Sequence, residues 1–352
     1  MKNKLTIKFA KKKDTIEIQK FINLHYKKNH IFARNQKLFE WLYIDKISNC
    51  TLALKNNKIV GVYLYIPLKK FDEKLNKERH VFGSLWVIKD FKNHVVKNLE
   101  RENVGIALRL FYKTYELLKP KLVIASGMDP RLCVFHNLKK YKLSKLNHHF
   151  IVSPYIKKTN IIKNFIFSNR SKKRRINKTK ISFKKIYNAK ELKNLSINSL
   201  FRYQIPLKSK IYLISRYLNH PFYKYHIYVI SKEKIINICI LRIIKFKNTN
   251  IIRFVDYVGS NRSFTILNPF FHEILNIYKA EYLDFYSYGI SLNILKKAGL
   301  KNRTENRKLI IPSYFEPFVN KNIDVVIGYK KFNIKGKVRI FKADSDQDRP
   351  NI

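Results

Sequence analysis

Glycine and proline are scarce in this chain, with nine and ten residues respectively among 352. That scarcity excludes collagen-like proteins and chains built mainly of flexible linkers. The hydrophobic fraction of 45%, with 14% aromatic residues, is instead sufficient for a packed core. The length suits one large domain or two of ordinary size.

Cysteine is scarcer still, and its spacing excludes the usual cysteine frameworks. Cys50, Cys133 and Cys239 are far apart and form no CxxC pair. Neither a zinc ribbon nor a disulfide framework is therefore indicated. We expect each cysteine to be a small buried hydrophobic residue in a reducing cytosol.

Long apolar runs and common catalytic motifs are missing too. No uninterrupted apolar stretch reaches the length of a membrane span, and the N-terminus lacks the apolar core of a signal peptide. We therefore expect a cytoplasmic protein. HExxH, GxSxG, P-loop and Rossmann motifs are not found, so zinc hydrolases, serine hydrolases and P-loop enzymes have little support.

Acidic residues are few relative to basic ones. The 24 Asp+Glu against 73 Lys+Arg give a formal net charge of +49. Such a charge favours nucleic acid, an anionic membrane or a phosphate-bearing ligand. Most of the excess is lysine, which shares A/T-rich codons with the abundant asparagine and isoleucine, so genome composition explains the charge equally well.

What the chain does have is a repeated pattern of strands and helices. Residues 1–155 predict the order β–α–β–β–β–α–β–α–β, including a hairpin that turns at residues 55–58. A polar, basic stretch at 168–180 reads as a linker. A similar order follows it, so we expect a domain at 1–157, a linker at 158–180 and a second domain at 181–352.

The stretch "NVGIALRLF" places one of the rare glycines where an amphipathic helix begins. A strand that enters a helix through a glycine leaves main-chain N–H groups able to bind a phosphate. The alternative is that Gly105 only eases packing of the helix on the sheet. The predicted phosphate site comprises Val104, Gly105, Ile106, Ala107 and Leu108.

The order of elements and this turn resemble the GCN5-related N-acetyltransferase (GNAT) family, whose Arg/Gln-x-x-Gly-x-Gly/Ala turn holds the pyrophosphate of acetyl-CoA. Glu102 stands where the family has Arg or Gln. The resemblance implies an α/β fold of two tandem GNAT-like units, each a central mixed β-sheet flanked by helices. It also implies acyl-CoA as co-substrate, no metal, and a degenerate second unit.

Further site residues follow from the same resemblance. Main-chain N–H groups of Val87 and Ile88 would polarise the thioester carbonyl. Aligning "VFHNLKKYKL" puts His136 where the family has the tyrosine that protonates the thiolate. His30 and Glu40 precede or lie within "LFEWLY" and would contact the acceptor amine or act as base. The alternative reading is that these polar side chains are solvated or take part only in packing.

Three segments resemble a group of tandem GNAT-like proteins associated with bacterial surface-polysaccharide biosynthesis. They are "NHIFARNQKLFEWLY", the GMDP-containing turn and the tail that begins "YFEPFV". This implies an N-acyltransferase acting on an amino group of a sugar or nucleotide-sugar. Two alternatives remain open: a transferase that uses aminoacyl-tRNA, to which the basic linker would bind, and a non-catalytic sugar-binding or assembly module.

An acidic motif near the end of the chain stands out against the basic background. Asp344, Asp346 and Asp348 have the spacing that begins a calcium loop, but the glycine and distal glutamate of an EF-hand do not follow. We expect an acidic tail held against the lysines of the protein. The alternative is a tail that folds over a cleft between the two units.

Overall fold

The computed structural model describes residues 5–44, 48–89, 101–128, 140–167, 181–246, 248–312, 320–346 and 348. Within these ranges, no helix is long and apolar enough to cross a membrane. The side chains of residues 101–104 and 203 lie outside the description.

The first half of the chain contains six strands and four helices in the described ranges. The strands are β1 (Leu5–Phe9), β2 (Cys50–Lys55), β3 (Lys58–Pro67), β4 (His80–Ile88), β5 (Leu122–Ser126) and β6 (Lys142–Val152). The helices are α1 (Thr15–His25), α2 (Ile31–Arg34), α3 (Gln36–Phe39) and α4 (Arg101–Leu118). A π-helical turn, Glu40–Ile44, continues α3. The predicted helix around "PRLCVFHN" lies outside the described residues.

The second half repeats this sequence of elements. The strands are β7 (Ser182–Ile186), β8 (Tyr225–Lys232), β9 (Ile235–Phe246), β10 (Thr249–Val258), β11 (Ala280–Tyr288), β12 (Lys301–Asn302), β13 (Val325–Lys331) and β14 (Ile340–Phe341). The helices are α5 (Ala189–Lys193), α6 (Lys210–Leu213), α7 (Asn268–Ile277) and α8 (Leu292–Lys297), and a π-helical turn, Ile214–Leu218, continues α6.

The chain divides into two compact units, whose boundaries differ from the expected ones. Unit 1 comprises residues 1–144, 326–334 and 349–352, and unit 2 comprises 145–325 and 335–348. The expected boundary at residue 157 is displaced because most of β6 pairs with β11 and so belongs to unit 2. The C-terminal region is shared because β13 pairs with β5.

Each unit has a six-stranded mixed sheet with the same order. The order is β1-β2-β3-β4-β5-β13 in unit 1 and β7-β8-β9-β10-β11-β6 in unit 2. Neighbouring strands are antiparallel except for the parallel pairs β4/β5 and β10/β11. The sixth strand of unit 1, β13, lies far after the other strands of that unit in the sequence. The sixth strand of unit 2, β6, precedes all the others. The predicted fold class is confirmed.

Local sequence explains the hairpins. Asn56 and Asn57, between β2 and β3, have φ of 51° and 61°, the left-handed values of a type I′ turn that asparagine tolerates. Glu233 turns the β8–β9 hairpin with φ of 53°. Both hairpins therefore form where the sequence predicts them.

The helical segment before the first hairpin is also duplicated. The Asn35 side chain caps α3, and the Ser209 side chain caps α6. Each helix passes into a π-helical turn whose fourth residue is a buried tyrosine, Tyr43 in unit 1 and Tyr217 in unit 2. π-Helical turns are rare and frequently occur at functional sites. The match supports two copies of one structural unit.

Helix α4 lies close to β3 at Gly61. An ideal Cβ placed on Gly61 would lie 3.2 Å from Leu110 Cδ2 and 3.3 Å from Ala53 Cβ. At Gly105, by contrast, an ideal Cβ meets no described atom within 4 Å. The glycine that permits close packing of helix on sheet is therefore Gly61, which the sequence reading had not singled out.

These two glycines predict opposite changes in stability. Gly61→Val should lower the free energy of unfolding by about 1–3 kcal/mol, because its methyl groups overpack the contact with α4. Gly105→Ala should raise it by up to about 1 kcal/mol, because alanine is the better helix former and its methyl group meets no described atom. Urea unfolding measures both. A stabilising Gly61→Val would contradict the packing described here.

Candidate functional site

Strands β4 and β5 of unit 1 are paired only over their first residues. Their parallel pairing runs from His80↔Leu122 to Gly83↔Ala125. β4 then continues for five residues to Ile88, and no described residue pairs with the edge of β4 that faces away from β3. The two parallel strands thus leave an inter-strand gap, defined here as the space beside residues 84–88 of β4.

A β-bulge lies at the point where this gap begins. The register between β3 and β4 shifts from Tyr65↔Gly83 to Leu64↔Leu85, which leaves Ser84 as the extra residue. Bulges often lie next to active sites, where they redirect side chains. The hydroxyls of Ser84 and Tyr43 are 2.6 Å apart and form a hydrogen bond. The π-helical turn is thereby joined to the bulge.

The pairing of β4 with β3 determines which main-chain groups face the gap. The N–H of Lys89 donates to the carbonyl of Val60 on β3 at 2.9 Å. Because successive residues of a strand direct their N–H groups to opposite sides, Val87 also faces β3, whereas Trp86 and Ile88 face the gap. The expected role of Ile88 is compatible with this geometry. The N–H of Val87 is used by the sheet, whereas that of Trp86 faces the gap.

Apolar side chains cover the α4 side of the gap. Ile88 and Ala107 are buried together, and Trp86 packs against them. The ring of Trp86 lies 5.5 Å from that of Phe111. The small side chain of Ala107 keeps α4 close to β4 here. The indole Nε1 of Trp86 is buried without a hydrogen-bond partner among the described residues, so it is available as a donor.

Tyrosines continue the lining beyond Trp86. The Tyr115 and Tyr141 hydroxyls form a hydrogen bond. Burial raises the pKa of Tyr63 to about 12, and a hydrogen bond with Tyr115 opposes that rise. Burial likewise raises the pKa of Tyr141. All three phenols are neutral near pH 7 and can serve as hydrogen-bond partners, but not as bases.

Gly105 lies inside α4 and not at its start. α4 is described from Arg101, so the main-chain N–H groups of Gly105, Ile106, Ala107 and Leu108 bond within the helix. N–H groups without such partners belong to the first turn of a helix, and Gly105 follows four described helical residues. The phosphate site predicted at Val104 to Leu108 stays a prediction. Gly105 offers a surface without a side chain instead.

The other predicted residues are placed separately. His30 is buried, and its Nδ1 accepts a hydrogen bond from the N–H of Phe32, so that it caps α2. Glu40 begins the π-helical turn and accepts a hydrogen bond from the Gln36 side chain at 2.8 Å. His30 thus caps a helix through Nδ1, whereas Glu40 stays half-exposed. Their contact with an acceptor stays a prediction. His136 lies outside the described residues.

Sequence reasoning missed Ser84, Trp86 and Tyr43. Only strand register reveals that Ser84 is the extra residue of a bulge and that Trp86 faces the gap. The recurrence of tyrosine after a capped α–π segment was visible in "LFEWLYI" and "IYLISRYL". The repeated tyrosine becomes apparent when the two segments are aligned at their capping residues, Asn35 and Ser209.

Unit 2 repeats the bulge and the end of parallel pairing. The register between β9 and β10 shifts at Val255, and the last β10–β11 pair is Phe254↔Phe285. The C-terminal segment of the chain is buried against these strands, with Asp344, Asp346 and Asp348 at 2% exposure or less. The acidic motif is therefore held against basic residues as expected, but in the interior of unit 2.

The acidic motif is neutralised by buried cations. Asp344 lies 3.0 Å from Lys208 and Asp348 lies 2.9 Å from Arg242. Burial raises the pKa of Asp344 to about 6 despite the opposing effect of Lys208. Burial raises the pKa of Asp348, but the charges of Arg242 and Lys342 and the hydrogen bonds from Tyr225 and Arg242 together outweigh burial and lower it. No group of three or more potential metal ligands occurs in the parts of the chain that the structure describes.

The same arrangement of strands occurs in solved structures. The alignment with a GCN5-related N-acetyltransferase from Anabaena variabilis ATCC 29413 covers 94% of this chain and 73% of that protein, with a TM-score of 0.55 and 11% identity. The alignment with one from Kribbella flavida covers 94% of this chain and 71% of that protein, with a TM-score of 0.53 and 6% identity. A conserved protein from Enterococcus faecalis V583 matches 93% and 73% with a TM-score of 0.53 and 10% identity.

Similarity at the level of sequence is not found. No protein-family model matches the chain, and no curated protein matches it. At such low identities the structural matches establish architecture alone. The chain has the fold of the GCN5-related N-acetyltransferases.

Proposed function

We propose that unit 1 is an acyltransferase that moves an acyl group from acyl-CoA to an amine. The observation that carries this proposal is the inter-strand gap of unit 1, where β4 continues past a bulge with main-chain donors facing outward. Parallel strands that separate leave such donors for an extended amide-containing ligand. The pantetheine arm of coenzyme A is a ligand of this kind.

The gap also supplies the groups that acyl transfer needs. The N–H groups of Trp86 and Ile88 would donate to the thioester oxygen as negative charge develops on it. The acceptor nitrogen forms the new C–N bond, the C–S bond breaks, and the nitrogen loses a proton. His136 would return a proton to the sulfur of the leaving thiolate. Fixing both substrates in one cleft supplies much of the rate.

The diphosphate of the cofactor would lie at the beginning of α4. Main-chain N–H groups of the first helical turn and the helix dipole attract negative charge there. Gly105, whose Cβ position meets no described atom, would let the diphosphate approach the helix closely. The +49 charge favours encounter with this polyanionic ligand.

The acceptor we propose is an amino group on a sugar or nucleotide-sugar. Support for this class comes from the three segments that resemble proteins of surface-polysaccharide biosynthesis. Glu40 is a half-exposed carboxylate three residues before Tyr43, whose hydroxyl is hydrogen-bonded to Ser84 of the bulge. Glu40 would accept the proton that the amine loses.

Calorimetric titration of the full chain tests the proposal. We expect saturable binding of acetyl-CoA and of coenzyme A, with affinity that falls moderately at high salt. Binding of neither, together with salt-sensitive binding of tRNA, would replace the proposal with the aminoacyl-tRNA reading. Binding of none of the three would remove the transferase function.

A further inference from the structure

Segment 340–348, of which the structure describes residues 340–346 and 348, is buried in the interior of unit 2. Ile340, Phe341 and Asp344 are fully buried, and Ala343 is 1% exposed. Ordering a run of consecutive residues costs conformational entropy. Specific contacts must therefore hold this segment in place.

The segment lies between the two parallel strands of unit 2. β14 pairs with β11 at Ser287↔Phe341 and Tyr288↔Ile340, just past the last β10–β11 pair. The N–H of Ala343 donates to the carbonyl of Val255, the bulge residue of β10, at 2.9 Å. The segment thus bonds to both strands beyond the point where they stop bonding to each other.

Neighbouring residues are shaped to receive this segment. Gly289 has φ of +90°, and a Cβ there would lie 2.3 Å from the carbonyl oxygen of Val338. The ring of Phe341 stacks on Phe285 with centroids 5.6 Å apart. The N–H of Phe341 donates to the Asp344 carboxylate. The approach of the segment thus depends on a glycine and on an aromatic stack.

Ion pairs hold the segment at its middle, Asp344, and at its last residue, Asp348. Lys208 lies 2.6 Å from Asp256 of β10 and 3.0 Å from Asp344 of the segment. The Asp348 carboxylate accepts hydrogen bonds from Arg242 at 2.9 Å and from the Tyr225 hydroxyl at 2.6 Å. These groups are buried, so their attraction is weakly screened by solvent.

We infer that segment 340–348 is an intramolecular ligand of unit 2. It occupies the gap between β10 and β11 that corresponds to the inter-strand gap of unit 1. Resting on the proposed function, this means that the chain binds one acyl-CoA, in unit 1, and that unit 2 binds none. The bulge and the separated strands of unit 2 bind this segment.

Because segment 340–348 is covalently attached to unit 2, it competes effectively with free acyl-CoA for the gap between β10 and β11. A covalently attached segment competes at an effective concentration on the order of millimolar or above. A free cofactor must also lose translational and rotational freedom, a cost that the tethered segment has already met. Acyl-CoA at micromolar concentration therefore does not displace the segment.

Hydrogen–deuterium exchange and titration on the full chain test this inference together. We expect slow exchange of the Ala343 amide, unchanged by saturating acetyl-CoA, and a stoichiometry of one. Gly105→Glu should bind no acetyl-CoA. Two sites in the wild type, or faster exchange at 340–344 with acetyl-CoA, would overturn the inference.

The same experiment separates failure of this inference from failure of the proposed function. If the full chain binds no acetyl-CoA, the proposed function fails, and the Ala343 exchange rate alone decides whether the segment is a stable occupant. Fast exchange would then overturn the inference. Gly289→Ala should increase exchange at 340–343 by about 10-fold or more and leave acetyl-CoA binding unchanged. Unaltered exchange in that variant would also count against it.

Discussion

Gly105→Glu should abolish acetyl-CoA binding while the protein stays folded. The new carboxylate would extend from the surface of α4 that has no side chain, toward the proposed position of the diphosphate. Bringing like charges together costs several kcal/mol, which corresponds to a loss of affinity of about 100-fold or more. Glutamate is a better helix former than glycine, so the melting temperature should not fall.

Leu117→Glu provides the matched control for this substitution. It adds the same charge to the same helix at an exposed position near its end. We expect Leu117→Glu to bind acetyl-CoA with an affinity close to that of the wild type. Calorimetry measures both variants, and circular dichroism verifies their folding. Unchanged binding in Gly105→Glu would remove Gly105 from the cofactor site.

Lys208→Met should destabilise the protein strongly. Lys208 is fully buried between Asp256 and Asp344. Its pKa is raised, since the two carboxylates outweigh the effect of burial. Removing one member of a buried ion cluster leaves uncompensated charge and typically costs about 3–5 kcal/mol. The free energy of unfolding in urea should fall by this amount.

A double variant distinguishes lost charge balance from lost packing. Lys208→Met combined with Asp344→Asn should be more stable than the sum of the single effects predicts, because one unpaired carboxylate has been removed. Lys113→Met, which breaks the exposed pair with Glu116, should change stability by less than about 1 kcal/mol. Strict additivity in the double variant would show that the ion pair is not the source of the effect.

The elements that depend on local chemistry could be predicted from the sequence. The spacing of Ile18, Phe21 and Ile22 places one buried face on α1. The Asn56–Asn57 turn favours left-handed backbone and so predicts the first hairpin. These elements are stabilised by contacts between residues close in sequence, so the spacing of apolar residues and the choice of turn residues predict them directly.

The candidate site was predicted only in part, because its geometry depends on pairing between distant segments. That Val87 faces β3 and Ile88 faces the gap follows from the register of β4 with β3. A shift of one residue would exchange their roles. His30 looked like a chemical group but caps α2, since nothing in a single sequence distinguishes a cap from a base.

Taken by itself, the sequence determined a chain with two similar α/β units, its hairpins and most of its strands, because these follow from periodicity and turn chemistry. The tertiary structure alone decided which unit each of the last described strands joins. β13 completes the sheet of unit 1, and the segment after it fills unit 2. Long-range pairing rests on the fit between distant surfaces, such as Gly289 against Val338, and such a fit leaves no periodic signal in the sequence.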